Sequence, residues 1–134
     1  MWWPGRAKIS RMAQSNVELA RHGYEAARRG DLETIREFLH TDVGWHGGDP
    51  SAPGACQNRE QALAFMRRAR GRRGVGELVD IVDAGEKVVV IMRPPSEAGE
   101  PAALSANLTT FRDGKAVEMV HYANPEDALA AAGV

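Results

Sequence analysis

Residues Ala103-Leu-Ser-Ala-Asn-Leu-Thr-Thr-Phe-Arg-Asp-Gly-Lys-Ala-Val-Glu-Met-Val-His-Tyr122 read as a β-hairpin. Asp113-Gly114 is the turn signal, because Gly accepts a positive φ without penalty, and both flanks are rich in strand-forming side chains. Side chains alternate across a strand. Ser105, Asn107, Thr109 and Phe111 therefore share one face, and Val117, Met119 and His121 share one face of the partner strand. One amide and one imidazole interrupt this otherwise apolar surface. It is either the wall of a binding cavity or a core with two satisfied polar groups, since buried polar side chains are hydrogen-bonded whatever their role.

Upstream of the hairpin, residues 78–82 form a strand pattern, Ala84-Gly85 a turn, and Val88-Val-Val-Ile-Met92 a continuous apolar run that Pro94 and Pro95 end. A run apolar at every position suggests a strand covered on both sides. Earlier still, the chain is helical. Ser15 and Glu18 make a capping box, Val17, Ala20, Tyr24 and Ala27 form an apolar stripe, and Gly30 stops the helix. Asp31 caps a second helix whose inward face is Leu32, Ile35, Phe38 and Leu39, ending near His40-Thr41-Asp42. A short strand is expected at residues 43–46, followed by the turn-forming loop 47–54. A third helix starts at Asn58, with Gln61 reaching back and Ala62, Phe65, Met66 and Ala69 as its stripe. Asn124-Pro125 leads a short Ala-rich terminal helix. Three helices followed by a mainly antiparallel sheet predict an α+β fold.

At 134 residues the chain fits one domain, expected over residues 15–134 behind an N-terminal extension, 1–14. Its 17 basic and 18 acidic residues, net −1, provide no general attraction for nucleic acid or an anionic membrane. Arg67, Arg68, Arg70, Arg72 and Arg73 crowd the end of the third helix, where the helix dipole favours cations, and no interleaved aromatics accompany them for base stacking. A single Cys, Cys56, excludes an internal disulfide framework, and its surroundings carry no reactive-thiol pattern. With no apolar run long enough to span a membrane and no secretory signal at the start, a cytoplasmic protein is expected.

The order of motifs resembles the SnoaL-like polyketide cyclases, of the wider superfamily that includes nuclear transport factor 2 and ketosteroid isomerase. The resemblance is carried by Tyr-Glu-Ala-Ala-Arg-Arg-Gly-Asp-Leu at 24–32, then Asp42-Val43, Asn58-Arg-Glu-Gln-Ala62 and Asp113-Gly-Lys-Ala-Val-Glu-Met-Val-His121, and spans 15–123. It implies a cone, in which a strongly curved sheet wraps around three N-terminal helices and leaves a pocket open at one end, commonly in a homodimer. It also implies a small hydrophobic ligand, bound or transformed without a cofactor. Some members have lost catalysis and act as binding or assembly modules, so the fold does not decide activity.

Matched to the isomerase position by position, its proton-donating Asp falls on Asn107 and its helix Tyr falls near Gly23, one place before Tyr24. Its general-base Asp falls on Gly47 without a gap, or on Asp49 of Asp49-Pro50 if two loop residues are inserted. Met119 and His121 match its apolar pocket wall. Steroid isomerisation is therefore not expected, because the oxyanion hole of Tyr and protonated Asp is missing. Acid–base chemistry on an enolisable carbonyl is compatible with what is present. Imidazole can exchange protons near neutrality, and Asn107 can hold an enolate oxygen. The candidate catalytic residues are His121, Asn107 and Asp49, and the candidate ligand contacts are Trp45, Met119, Tyr24 and His46. Trp45 and His46 point to opposite faces of one strand, with Trp45 favoured for the pocket, and no metal-ligand spacing accompanies the histidines. The contrasting expectation is a non-catalytic dimeric module in which Asn107 and His121 bond to each other or to backbone.

Overall fold

Ser15 starts the first helix, α1 (Asn16–Arg29): its side chain accepts from the Glu18 amide, and its hydroxyl donates to the Glu18 carboxylate at 3.0 Å. Gly30 ends α1 in the left-handed region, at φ 75°. Asp31 caps α2 (Leu32–Phe38) by accepting from the Thr34 hydroxyl at 2.6 Å and from Thr34 N at 3.2 Å. These bonds hold the Asp31 carboxyl below the usual carboxylate range, so the cap is retained until pH falls through that lowered value. The described residues of the structure, a computed structural model, are 15–46, 56–72, 76–94 and 103–134, with the side chains of 68–72 excepted. The extension 1–14, Asp49 and Arg73 lie outside them.

After α2 come β1 (Leu39–His46), α3 (Arg59–Arg72), β2 (Glu77–Ala84), β3 (Lys87–Arg93), β4 (Ser105–Arg112), β5 (Lys115–Tyr122) and α4 (Pro125–Ala132). The strands form one five-stranded sheet in the order β1-β5-β4-β3-β2, antiparallel except for the parallel β1–β5 pair. This is the expected α+β architecture. The second helix, however, stops earlier than its apolar spacing predicts. Leu39 is extended (φ −90°, ψ 138°) and pairs with Ala116, so residues 39–42 belong to the first strand. Pairing with β5 outweighs a helical pattern that α2 carries for only 7 residues.

Alternation divides β3 between two layers. Val88 and Val90 face the helices and join the core with Ala20, Ile35, Val43 and Phe111, while Val89 packs with Ala106, Leu108 and Ala128 on the opposite side. Two-sided burial of the run 88–92 is thus correct in kind, but the second cover is the chain's own α4. It does not by itself require a second subunit. Among the described side chains of α3, Ala62 and Leu63 are buried, whereas Phe65, expected in the core stripe, is 44% exposed. Arg36 on α2 forks to Glu60 on α3 at 2.6 and 3.1 Å; both are exposed, where such pairs add little stability.

At Gly76, just before β2, a Cβ would overlap the carbonyl oxygen of Arg93. Both partners in that collision are backbone, so no rotamer change relieves it. Gly76→Ala is expected to destabilise the protein by ~1–3 kcal/mol, the usual cost of overpacking, as a lowered urea midpoint. An unchanged midpoint would mean that the β2–β3 end is looser than this contact implies.

Candidate functional site

Between the helices and the inner face of the sheet lies a cavity of about 320 Å³, at the lower end of the ~300–1,000 Å³ typical of small-molecule pockets. Its helical side comes from Ala20, Gly23, Tyr24 and Ala27 of α1, Leu32, Ile35 and Phe38 of α2, and Phe65 and Met66 of α3. Its sheet side comes from Trp45, Val90, Met92, Met119 and the polar residues Ser105, Asn107, Thr109 and His121. The lining is overwhelmingly apolar. Polarity is concentrated on β4 and β5, where strand alternation turns every second residue inward.

Asn107 and His121 face each other across the β4–β5 ladder. Directly opposed side chains on one face have Cβ atoms ~4.5–5.5 Å apart, within reach of a single ligand atom. Asn107 is 7% exposed, and its Oδ1 accepts from the Thr109 hydroxyl at 2.7 Å. No hydrogen bond among the described residues engages the His121 imidazole. The alternative in which Asn107 and His121 bond each other is not the arrangement seen.

Trp45 and Met119 are also paired across strands, and both line the cavity. The Trp45 ring meets Phe65 edge to face, with centroids 5.2 Å apart, so the half-exposed Phe65 forms part of the rim. His46 is different. Expected among the ligand contacts, it lies on the other face of β1, with Nε2 3.5 Å from the Glu118 carboxylate, and it does not line the cavity. The cause is the period-2 alternation that turns Trp45 inward. Asp49 lies outside the described residues, and no carboxylate is among the described lining residues.

Tyr24 lines the cavity, but its hydroxyl donates to the backbone carbonyl of Gly76. Burial raises its pKa above the ordinary phenol value, with a smaller lowering by Arg28 and a smaller raising by Glu77. Its proton is committed to the backbone. Tyr24 therefore braces α1 against the start of β2, and Tyr24→Phe is expected to cost ~1–2 kcal/mol by leaving that carbonyl without its donor. Thermal unfolding checks this, and an unchanged melting temperature would assign the phenol elsewhere.

Among the lining groups not expected as site residues, Ser105, Thr109 and Phe65 bear most on the chemistry. Ser105 and Thr109 follow from the same alternation that selected Asn107, so the signal was present. Phe65 gave no such signal, because helical spacing makes a rim aromatic look like a core one. Among the described residues, no helix is long and apolar enough to cross a membrane, and no cluster of three metal-ligating side chains occurs.

A family model for the SnoaL-like domain matches residues 20–119, which include both Asn107 and Met119 of the cavity wall. The chain belongs to the SnoaL-like domain family. Solved structures agree on the fold. The chain is similar to Bal32a from a soil-derived mobile gene cassette (24% identity, TM-score 0.70, 83% of this chain and 90% of that one). It is similar to a candidate polyketide cyclase from Sinorhizobium meliloti (18%, TM-score 0.65, 78% and 93%). It is also similar to TerC, co-crystallised with polyporic acid (23%, TM-score 0.64, 89% and 98%). No curated protein matches the chain significantly. At these identities the neighbours show a shared SnoaL-like fold, and the chemistry of this SnoaL-like domain has to be argued from its own lining.

Proposed function

We propose that this SnoaL-like protein binds a small, mainly apolar carbonyl compound, with Asn107 donating to the carbonyl oxygen and His121 exchanging the proton on the adjacent carbon. The observation that carries the reading is the opposed Asn107–His121 pair in a lining that is otherwise almost entirely apolar. A binding protein for small molecules is what the family supports, and TerC's co-crystallised small molecule is consistent with it.

In the proposed chemistry the imidazole takes the α-proton, the C–H electron pair becomes the enolate C=C bond as the carbonyl π pair moves onto oxygen, and the oxyanion is held by the amide N–H of Asn107. The imidazolium returns the proton to carbon, or the enolate carbon attacks a second carbonyl of the same ligand in a ring closure and the imidazolium protonates the resulting alkoxide. Among the described lining residues only His121 and Tyr24 carry acid–base side chains, and the Tyr24 proton is already donated to Gly76. His121 is thus the group that this reading requires.

The test uses 1-tetralone, a flat aryl ketone with exchangeable α-hydrogens. A melting temperature that rises with its concentration reports binding by mass action, and deuterium uptake at its α-carbon in D₂O reports proton transfer. Binding with His121-dependent uptake supports the full proposal. Binding without uptake reduces it to a binding module, and failure of 1-tetralone and other aryl ketones to bind overturns it.

A further inference from the structure

Thr109 is 2% exposed, and its hydroxyl finds its acceptor in Asn107 Oδ1 at 2.7 Å. This bond decides which way round the amide sits. With the amide reversed, its NH₂ would donate to Thr109 Oγ1, and the hydroxyl proton would lose its acceptor among the described residues. The observed orientation gives the hydroxyl proton its acceptor. It also commits the oxygen of Asn107 and leaves its NH₂ as the end that no described hydrogen bond uses.

From this geometry we infer that Thr109 is a positioning residue that makes Asn107 a hydrogen-bond donor toward the cavity, so that the site selects an acceptor, a carbonyl or enolate oxygen, at that point. The inference rests on the carbonyl-binding reading above and adds to it a cause for the polarity of the selection. An asparagine can present either end to a ligand. Here the neighbour two residues along the same strand makes the choice, because residues i and i+2 lie on one face. Opposite Thr109 stands Met119, which offers no strong alternative acceptor for the hydroxyl.

The experiment compares 1-tetralone with tetralin, the same ring system without the oxygen, by calorimetric titration of the full chain. The ratio of their dissociation constants measures the selection for an acceptor and cancels effects on the apolar walls. The wild type is expected to favour 1-tetralone by about three- to tenfold, the usual range for one hydrogen bond. Thr109→Val should lower the ratio about twofold, because the freed amide then sits either way round, while tetralin affinity is retained, and Thr109→Ser, which keeps the hydroxyl, should restore it. Thr109→Ala removes the hydroxyl without adding bulk and serves in place of a Val variant that fails to fold. Because Thr109 acts through Asn107, Thr109→Val in an Asn107→Leu background should lower the ratio no further.

A purely structural threonine would lower the melting temperature and leave the ratio as it was. A ratio unchanged by Thr109→Val but reduced by Asn107→Leu overturns this inference and leaves the carbonyl-binding reading standing. A wild-type ratio of one, untouched by Asn107→Leu, overturns both.

Discussion

Replacing Asn107 by Leu is expected to weaken binding of 1-tetralone by ~1–3 kcal/mol, the cost of leaving the buried carbonyl oxygen unsatisfied, and His121→Ala, which removes the wall against the α-carbon, by an amount within the same range. That is roughly 5- to 150-fold in the dissociation constant. The two losses should not add, because the side chains oppose each other across one ladder and would contact the same oxygen and its neighbouring carbon. Their effects should also differ in kind. His121→Ala should abolish α-deuterium uptake at saturating ketone, whereas Asn107→Leu should slow uptake and weaken binding together. Titration and exchange measured on the same variants separate these outcomes. If both substitutions leave affinity and uptake unchanged, the ligand does not use this pair, and the polar wall serves packing alone.

Ile35→Ala should produce the largest loss of stability. Ile35 is 2% exposed, belongs to the main core and also lines the cavity. Large-to-small changes at such positions cost ~2–5 kcal/mol through lost transfer energy and the space left behind. One side of Ile35 already borders empty volume and has fewer contacts to lose, which places the expectation at ~2–3 kcal/mol. At about 4 °C per kcal/mol for a chain of this size, the melting temperature should fall by roughly 8–12 °C. The same deletion should enlarge the cavity and favour bulkier ketones over 1-tetralone. A fall of under about 2 °C would mean that the helices close over the gap and that the cavity wall is more plastic than its packing indicates.

Much of the architecture could be read locally. Ser15, Asp31 and Asn58 stand where the helices begin, and Gly30, Gly85 and Gly114 take the positive φ of the helix stop and turns that the sequence marked. The inward set Ser105, Asn107, Thr109, Met119 and His121 came from strand alternation, a property of the backbone that needs no tertiary information. The same rule separates Trp45 from His46, because adjacent strand residues cannot share a face.

Long-range pairing determined the rest. Residues 39–42 carry a helical pattern that yields to β5, because the ladder supplies backbone hydrogen bonds and burial that a seven-residue helix cannot match. The run 88–92 announced two-sided burial, but only the folded chain shows α4 providing the outer cover. Tyr24 had the spacing of a core residue, and its bond to Gly76 depends on a chain segment 52 residues away. The fold, the caps and the inward polar residues of β4 and β5 were therefore determined by the sequence itself, since each follows from local geometry or strand periodicity. The orientation of the Asn107 amide, the commitment of the Tyr24 proton and the place of Phe65 at the rim were decided only in three dimensions, because each depends on which partner the packed chain brings within reach.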